Sequence, residues 1–471
     1  MKSLKKNLLY QSAYQLLMVV SPLITSPYIA RTLGNEMYGV YSYYFSIAYF
    51  FSVFTILGLT NYGNRTIAKI KHLGKLELSK TFLQLLSMQL GMLFIISIIY
   101  FAGIPFWGGS YKTNALIEWL YILYIGLDIS WFYFGIEEFK TTSQRFFIVK
   151  TGIIICILTF VNSPSDLNIY TFIMSGGLLV SSLILWIQLP KHIQLVPINY
   201  RDVIKHIRPN LTLFIPVISL ALFNYSDKIM LGQMSTWKEL GYYTNADKVT
   251  TIPMGLINGL GVVMLPRISS LSASSDSSII KKYINYSIIA SVWAGVALCF
   301  GIRSICSDFV PFFFGQGYDR CEDLLNWLSI VVIIKALSNV FRTQYLIPME
   351  KDKEFNISVI VAAIINIFLN AMLIPAYGAM GAVIATLMCE LIVLILYGFF
   401  SYRIIAYFKV IIPSVSFIIS GIVMNIAVNV SKKILLIDNI LLRLIIEALI
   451  GAFVYCVLTA PIVTSLIRKK G

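Results

Sequence analysis

Fourteen mostly apolar stretches recur along a chain of 471 residues, most of them about twenty residues long, and they leave it one solvent to fold in. They run over 8–31, 40–61, 81–104, 116–136, 148–161, 168–189, 209–232, 242–265, 286–306, 323–346, 356–374, 378–400, 410–430 and 443–466. The stretch at 148–161 is short and becomes a span only when extended through Phe146 and Phe147. About twenty apolar residues in an α-helix cross the hydrocarbon core, and a chain without water must satisfy its backbone within each segment. The expected fold is therefore all-α and integral to the membrane, with about fourteen transmembrane helices. Composition agrees: 58% of residues are hydrophobic and 13% charged, against roughly a quarter charged in soluble domains, which excludes a water-soluble globular protein.

The net charge of +15 is a matter of orientation before it is a matter of partners. With the N-terminus inside, the inward segments carry 25 basic residues, among them Lys69, Lys71, Lys140, Arg145, Lys150, Arg201 and Lys281. The outward segments carry six: Arg31, Lys112, Lys238, Arg320, Lys432 and Lys433. That asymmetry predicts both termini in the cytoplasm and argues against nucleic acid. The start resembles a secretory n-region, but Gln11 and Gln15 interrupt its apolar run and no small-x-small cleavage site follows, so the first helix is expected to stay. The six cysteines form no C-x-x-C pair and read as small packing residues.

No connecting segment exceeds about twenty residues, so function is expected inside the membrane. The polar segment Pro190 to Arg208 reads as a cytoplasmic linker, giving an N-terminal six-helix lobe over 1–190, a linker over 191–208, a second six-helix lobe over 209–409 and two extra helices over 410–471. Leu33-Gly34 with Tyr38-Gly39-Val40-Tyr41 is echoed by Leu231-Gly232 with Leu240-Gly241-Tyr242-Tyr243, each at the first outward turn of its half. Two six-helix halves that both start inside make a parallel repeat. The competing explanation is that Gly and Tyr are common at interfacial turns.

Basic residues inside spans are Lys228, Lys248, Arg303, Lys335, Arg342 and Arg443, each costing roughly 2.5–3.5 kcal/mol at the centre of a lipid-facing helix. Arg443 has Glu447 one turn on, an ordinary i,i+4 pair. Lys335, Asn339 and Arg342 share one helix face at i, i+4, i+7 and call for water or an anion. Asp227-Lys228, with Asn224 nearby, and Asp247-Lys248 give two helices an acid-base dipeptide at similar depth, consistent either with cross-helix pairing or with a lysine left for an anionic ligand. Gln11 and Gln15 add a polar stripe to the first helix that fits cavity lining better than lipid contact, and with Asn224 and Asn339 they are the expected polar residues of a cavity. Asp128, Asp227, Asp247 and Glu390 are candidates for proton or sodium coupling, or partners of a neighbouring base. Tyr38, Tyr41, Tyr43, Tyr44 and Tyr49 fit a sugar-stacking surface or an interfacial belt. No P-loop, H-E-x-x-H or G-x-S-x-G occurs, so no catalytic residue, metal site or bound cofactor is expected.

Six stretches resemble the O-antigen and polysaccharide flippases of the multidrug/oligosaccharidyl-lipid/polysaccharide exporter superfamily. They are ARTLGNEMYGVYSYYFSIA from Ala30, LDISWFYFGIEEFK from Leu127, SDKIMLG from Ser226, LGYYTNADKV from Leu240, VVMLPRIS from Val262 and YGAMGAVIATLMCEL from Tyr377. The resemblance implies two six-helix lobes in a V around a cationic central cavity, two appended helices, and a polyprenyl-pyrophosphate-linked oligosaccharide as cargo. Together with the charges it suggests a bacterial inner-membrane flippase working by alternating access, with Arg31, Lys228 and Lys248, and Lys335 or Arg342, on the pyrophosphate. A proton or sodium gradient or the membrane potential would drive it, and a polysaccharide polymerase and its chain-length machinery are the candidate partners. The rivals are a multidrug exporter of the same superfamily, a lipid II or teichoic-acid flippase and, less in keeping with the short outward loops, a glycan polymerase.

Overall fold

In a computed structural model describing residues 20–273, 277–402, 407–435 and 437–468, the described parts of all fourteen apolar stretches fall on helices, and the described residues contain no strand. The chain runs from a helical segment over 20–32 (α1) through α2 (Gly34–Ile56), α3 (Leu59–Ile70), α4 (Lys75–Trp107), α5 (Lys112–Leu127), α6 (Ser130–Gly135), α7 (Phe139–Phe160), α8 (Leu167–Gln188) and α9 (Tyr200–Met234). It continues through α10 (Trp237–Ala273), α11 (Ser277–Phe313), α12 (Asp319–Phe341), α13 (Asp352–Tyr377), α14 (Ala379–Phe400), α15 (Tyr407–Ile434) and α16 (Ile440–Arg468). Twelve spans among the described residues are long and apolar enough to cross a membrane, with α2–α3 and α5–α6 each forming one broken span. The other two stretches are α1, described only in part, and α10, whose first turns carry Lys238, Glu239, Asp247 and Lys248. The polar segment after α8 is non-helical only over 192–199, because Asn199 accepts a hydrogen bond from the Arg201 N–H at 3.1 Å and starts α9 at Tyr200.

The chain divides into two compact units between Gly241 and Tyr242. In the first, α2 packs against α4, α5 and α9, and α8 against α5 and α7. One end holds an apolar core of Leu59, Ile67, Phe82, Leu85, Ile129, Trp131, Phe132, Tyr133 and Leu185, all nearly closed to solvent. Nearby, a hydrogen bond from Lys71, at 2.8 Å, holds the exposed Glu137 carboxyl below its usual range in a loop between spans.

The two glycines of the sequence echo meet within this unit. A Cβ on Gly39 of α2 would strike the Trp237 carbonyl oxygen and lie 2.9 Å from the Gly241 nitrogen, and one on Gly241 would strike the Asn35 carbonyl oxygen. The Asn35 side-chain amide then donates to the Lys238 carbonyl at 2.7 Å. Small residues here let two backbones approach, the usual device where packing replaces the hydrophobic effect. Gly39→Val should therefore destabilise the purified protein by about 3 kcal/mol, read as a lowered thermal midpoint, because the obstacle is backbone and cannot swing aside. Gly91→Ala in α4, with open space around it, should instead be neutral or stabilising by up to about 1 kcal/mol.

In the second unit α11 packs against α12, α15 and α16, and α14 against α12 and α13. The last two helices are fastened to α11 by polar contacts as well as by packing. Trp293 donates to Thr459 at 3.0 Å, Tyr455 to the Trp293 carbonyl at 2.8 Å, and Asn425 to Ser304 at 3.0 Å. At the end of this ladder Asp308 of α11 pairs with Lys432 of α15, 2.9 Å away, and with Arg443 of α16, while Glu447 lies 3.6 Å from Lys432. The i,i+4 reading of Arg443 is thus replaced: its guanidinium reaches across to Asp308 and leaves Glu447 to Lys432. Asp308→Ala would strand Arg443 and leave Lys432 with Glu447 alone, and should lower stability by about 3 kcal/mol, measured by thermal unfolding in detergent, with Asp308→Glu losing less.

Candidate functional site: charges within the spans

The geometry resolves several of the charged residues into neutralised pairs, while among the described residues Arg342 and Glu118 make no salt bridge. In the first unit α5 stops at Asp128, whose backbone is extended, and the chain restarts as α6 two residues on. Gln89 of α4 braces this break by donating to the Ile125 and Asp128 carbonyls at 3.1 and 3.0 Å, and its own oxygen accepts from Trp131 Nε1 at 3.0 Å. The Asp128 carboxylate takes hydrogen bonds from the Ser130 N–H and hydroxyl and lies 3.4 Å from the Arg145 guanidinium, which also donates to the Ser181 carbonyl at 2.9 Å. Asp128 and Arg145 are both buried. Of the two readings of Asp128, the geometry favours partner of a base. Arg145 is no loop charge: α7 starts at Phe139, well before the apolar stretch, and carries it inside.

Arg31 and Asn224 are exposed, Asp227 is buried at 4% exposure, and Lys228 is half-buried with its ammonium 5.6 Å from the centre of the Tyr225 ring. Tyr225 stacks on Tyr49 at 4.0 Å. Tyr38, Tyr41, Tyr43 and Tyr44 of α2 are buried in protein, which removes them from both a lipid-facing belt and an open sugar surface. Tyr41 meets Tyr170 edge-on at 4.7 Å, Tyr43 accepts from Gln233 at 3.2 Å, and Tyr44 donates to the Gly108 carbonyl at 2.6 Å. Gln11 and Gln15 lie outside the described residues.

In the second unit Asp247 and Lys248 are half-buried on α10. Lys335, Asn339 and Arg342 follow one another along the span of α12, as their spacing predicts, but their charges are handled differently. Lys335 lies 3.2 Å from Glu390 of α14, itself 5% exposed. Arg342, half-buried where α12 gives way to a π-helical turn over Arg342–Leu346, donates to the side-chain oxygen of the buried Asn339 at 3.0 Å. Among the described residues it makes no salt bridge. π-Turns in α-helices recur at functional positions.

Glu118 of α5, in the same apolar stretch as Asp128, is a second acid that sequence pattern does not single out. It is fully buried, and one of its oxygens accepts from Ser175 of α8 at 2.6 Å. An acid inside an apolar run was visible in the sequence; its burial and its single partner from a distant helix were not. Among the described residues no group of three or more His, Cys, Asp or Glu could hold a metal ion.

Comparison with known proteins gives this arrangement a family. The family described as polysaccharide biosynthesis protein matches residues 4–272. A protein from Escherichia coli (strain K12), named as a candidate O-antigen transporter, is 26% identical over 401 residues, covering 83% of this chain and 95% of the relative. One of the same name from Shigella dysenteriae is 22% identical over 403 residues, covering 83% and 98%. Among solved structures, lipid II flippase MurJ in an inward closed conformation superposes with a TM-score of 0.80 at 15% identity, over 98% of this chain and 99% of that one. An inward-facing multidrug transporter of the MATE family in the MOP superfamily superposes with a TM-score of 0.63 at 12% identity, over 83% and 94%. With its family match covering more than half its length, the chain belongs to the polysaccharide biosynthesis protein family, as a multi-pass membrane protein of the O-antigen and polysaccharide flippase kind, a transporter and not an enzyme.

Proposed function

We propose that the chain carries a polyprenyl-pyrophosphate-linked oligosaccharide, an O-antigen or capsule and exopolysaccharide repeat unit, from the cytoplasmic to the outer leaflet of the bacterial inner membrane by alternating access. The observation that carries this reading is Arg342, a guanidinium near the end of an apolar span with an amide in place of a carboxylate beside it. A planar cation of this kind, weakly hydrated and carrying several donors, suits the paired oxygens of a phosphate. Arg31, Lys228 and Lys248 would add positive charge, with Lys335 shared between cargo and Glu390. The names of the Escherichia coli and Shigella dysenteriae relatives support an O-antigen cargo.

In this reading both termini are cytoplasmic, as the 25-to-6 distribution of basic residues predicts. The halves divide at the 191–208 segment, and the cargo passes outside to a polymerase and its chain-length machinery. With the cytoplasm negative, moving each negative charge outward gains ~2.3 kcal/mol per 100 mV, so a pyrophosphate can travel without ATP. Asp128, Asp227, Asp247 and Glu390 stand as the candidate acids for any ion coupling, Asp128 and Glu390 each beside a basic partner.

Depleting the protein in cells should make the lipid-linked repeat unit accumulate on the cytoplasmic leaflet, measured by extracting lipids and testing which leaflet a membrane-impermeant glycosidase reaches. No accumulation would sink the reading, and accumulation of lipid II in its place would assign a different cargo. Arg342→Ala should lower export about tenfold or more at unchanged protein level, the loss of a charge-assisted hydrogen bond worth ~1.5–3 kcal/mol, and Arg342→Lys should recover only part. Lys228→Ala and Lys248→Ala should impair export in the same assay; normal export from both would make these lysines structural.

A further inference from the structure

Glu118 sits in the first unit with nothing of opposite charge beside it. The helices around it bring hydroxyls near: Ser175 and Tyr170 from α8, Tyr41 from α2, Tyr100 from α4 and Tyr121 from its own helix. Tyr100 is already committed to the Ala115 carbonyl at 2.7 Å. Among the described residues no Lys, Arg or His pairs with Glu118, and no second carboxylate shares its site. Its Oε2 meets the Ser175 hydroxyl, and its buried Oε1 has no hydrogen-bond partner.

An isolated carboxylate in such a place would carry its full desolvation cost against a single donor. A neutral carboxylic acid would not, because its O–H can itself donate to the Ser175 oxygen. Four residues earlier on each helix, Asn114 donates to Thr171 at 2.8 Å, so α5 and α8 are joined by two polar rungs, one a permanently neutral amide and the other a group that can change charge.

We propose that Glu118 is a proton-binding site of the first unit. It keeps its proton while α5 and α8 are closed and releases it to water, leaving a carboxylate, when the seam between them opens. Closing the seam takes a proton back. Deprotonation places a charge where the closed seam offers one hydroxyl, so the open seam favours release and the closed seam favours uptake. The link from this titration to cargo movement rests on the export reading above; the proton site itself does not.

Infrared difference spectra of the purified full-length protein, taken between mildly acid and mildly alkaline buffer, test the site directly. The wild type should show a protonated-carboxyl carbonyl band that shifts on deuterium exchange, is lost in Glu118→Gln and moves in frequency in Ser175→Ala. Spectra of Glu118→Gln and wild type that superimpose would overturn the proposal, and Ser175→Ala keeps the test alive if the glutamine variant does not fold. Glutamine preserves the Ser175 rung but holds no acid proton, so Glu118→Gln should lose export in the depletion strain while Glu118→Asp retains part of it. Full export from a folded Glu118→Gln would show a rung and no coupling. Failure of the flippase reading would appear instead as no repeat-unit accumulation on depletion, leaving the infrared result untouched.

Discussion

A chain dissolved in lipid has no water to finish its hydrogen bonds, and much of the arrangement of side chains follows from that constraint. Helices satisfy their middles; their ends and breaks do not satisfy themselves. Here the exposed carbonyls are met by long side chains from other helices. Around the α5 break, Gln89 takes the Ile125 and Asp128 carbonyls and Trp186 takes Leu127 at 2.8 Å. Tyr28 donates to Val161 at the end of α7, Tyr44 to Gly108 after α4, and Tyr133 to Leu185 near the end of α8. The abundance of tyrosine and tryptophan in the first unit is therefore partly a supply of donors that bring their own apolar bulk.

The same absence of water governs charge. Asp128 is matched by Arg145, Glu390 by Lys335, and Asp308 by Lys432 and Arg443. Each pair removes a cost that neither member could bear alone, and those of Glu390 and Asp308 tie together helices distant in sequence. Against this background Arg342 and Glu118 stand out because each has a hydrogen-bond partner but, among the described residues, no salt bridge. A cation can be completed by an anion that comes and goes, a buried acid by a proton. The functional and the further proposals are the two halves of one accounting of charge.

How much of this was legible in the sequence follows from what each feature depends on. The helices could be read because lipid selects apolar length, a local property, and each stretch falls on a helix where it is described. Partners could not be read, because they lie far along the chain. Arg443 has Glu447 within one turn yet reaches Asp308, 135 residues earlier. Arg145 lies just outside an apolar stretch, yet α7 begins six residues before it and carries Lys150 farther along the same span; without these two the orientation argument stands at 23 inward charges to 6. The tyrosines of α2 were legible as an aromatic cluster but not as buried, since a helix enclosed by protein and one facing the interface carry the same letters.

The stripe on α12 shows what face-level reading leaves out. Spacing alone places two cations and an amide on one surface, which suggests a site of charge +2. Glu390, from a helix some fifty residues later, subtracts one of those charges at Lys335 and leaves Arg342 as the cation without a carboxylate, steadied by Asn339. In the proposed function a site of lower net charge would hold a pyrophosphate less tightly. For a transporter that is an advantage, because cargo bound too strongly on one side would not leave on the other.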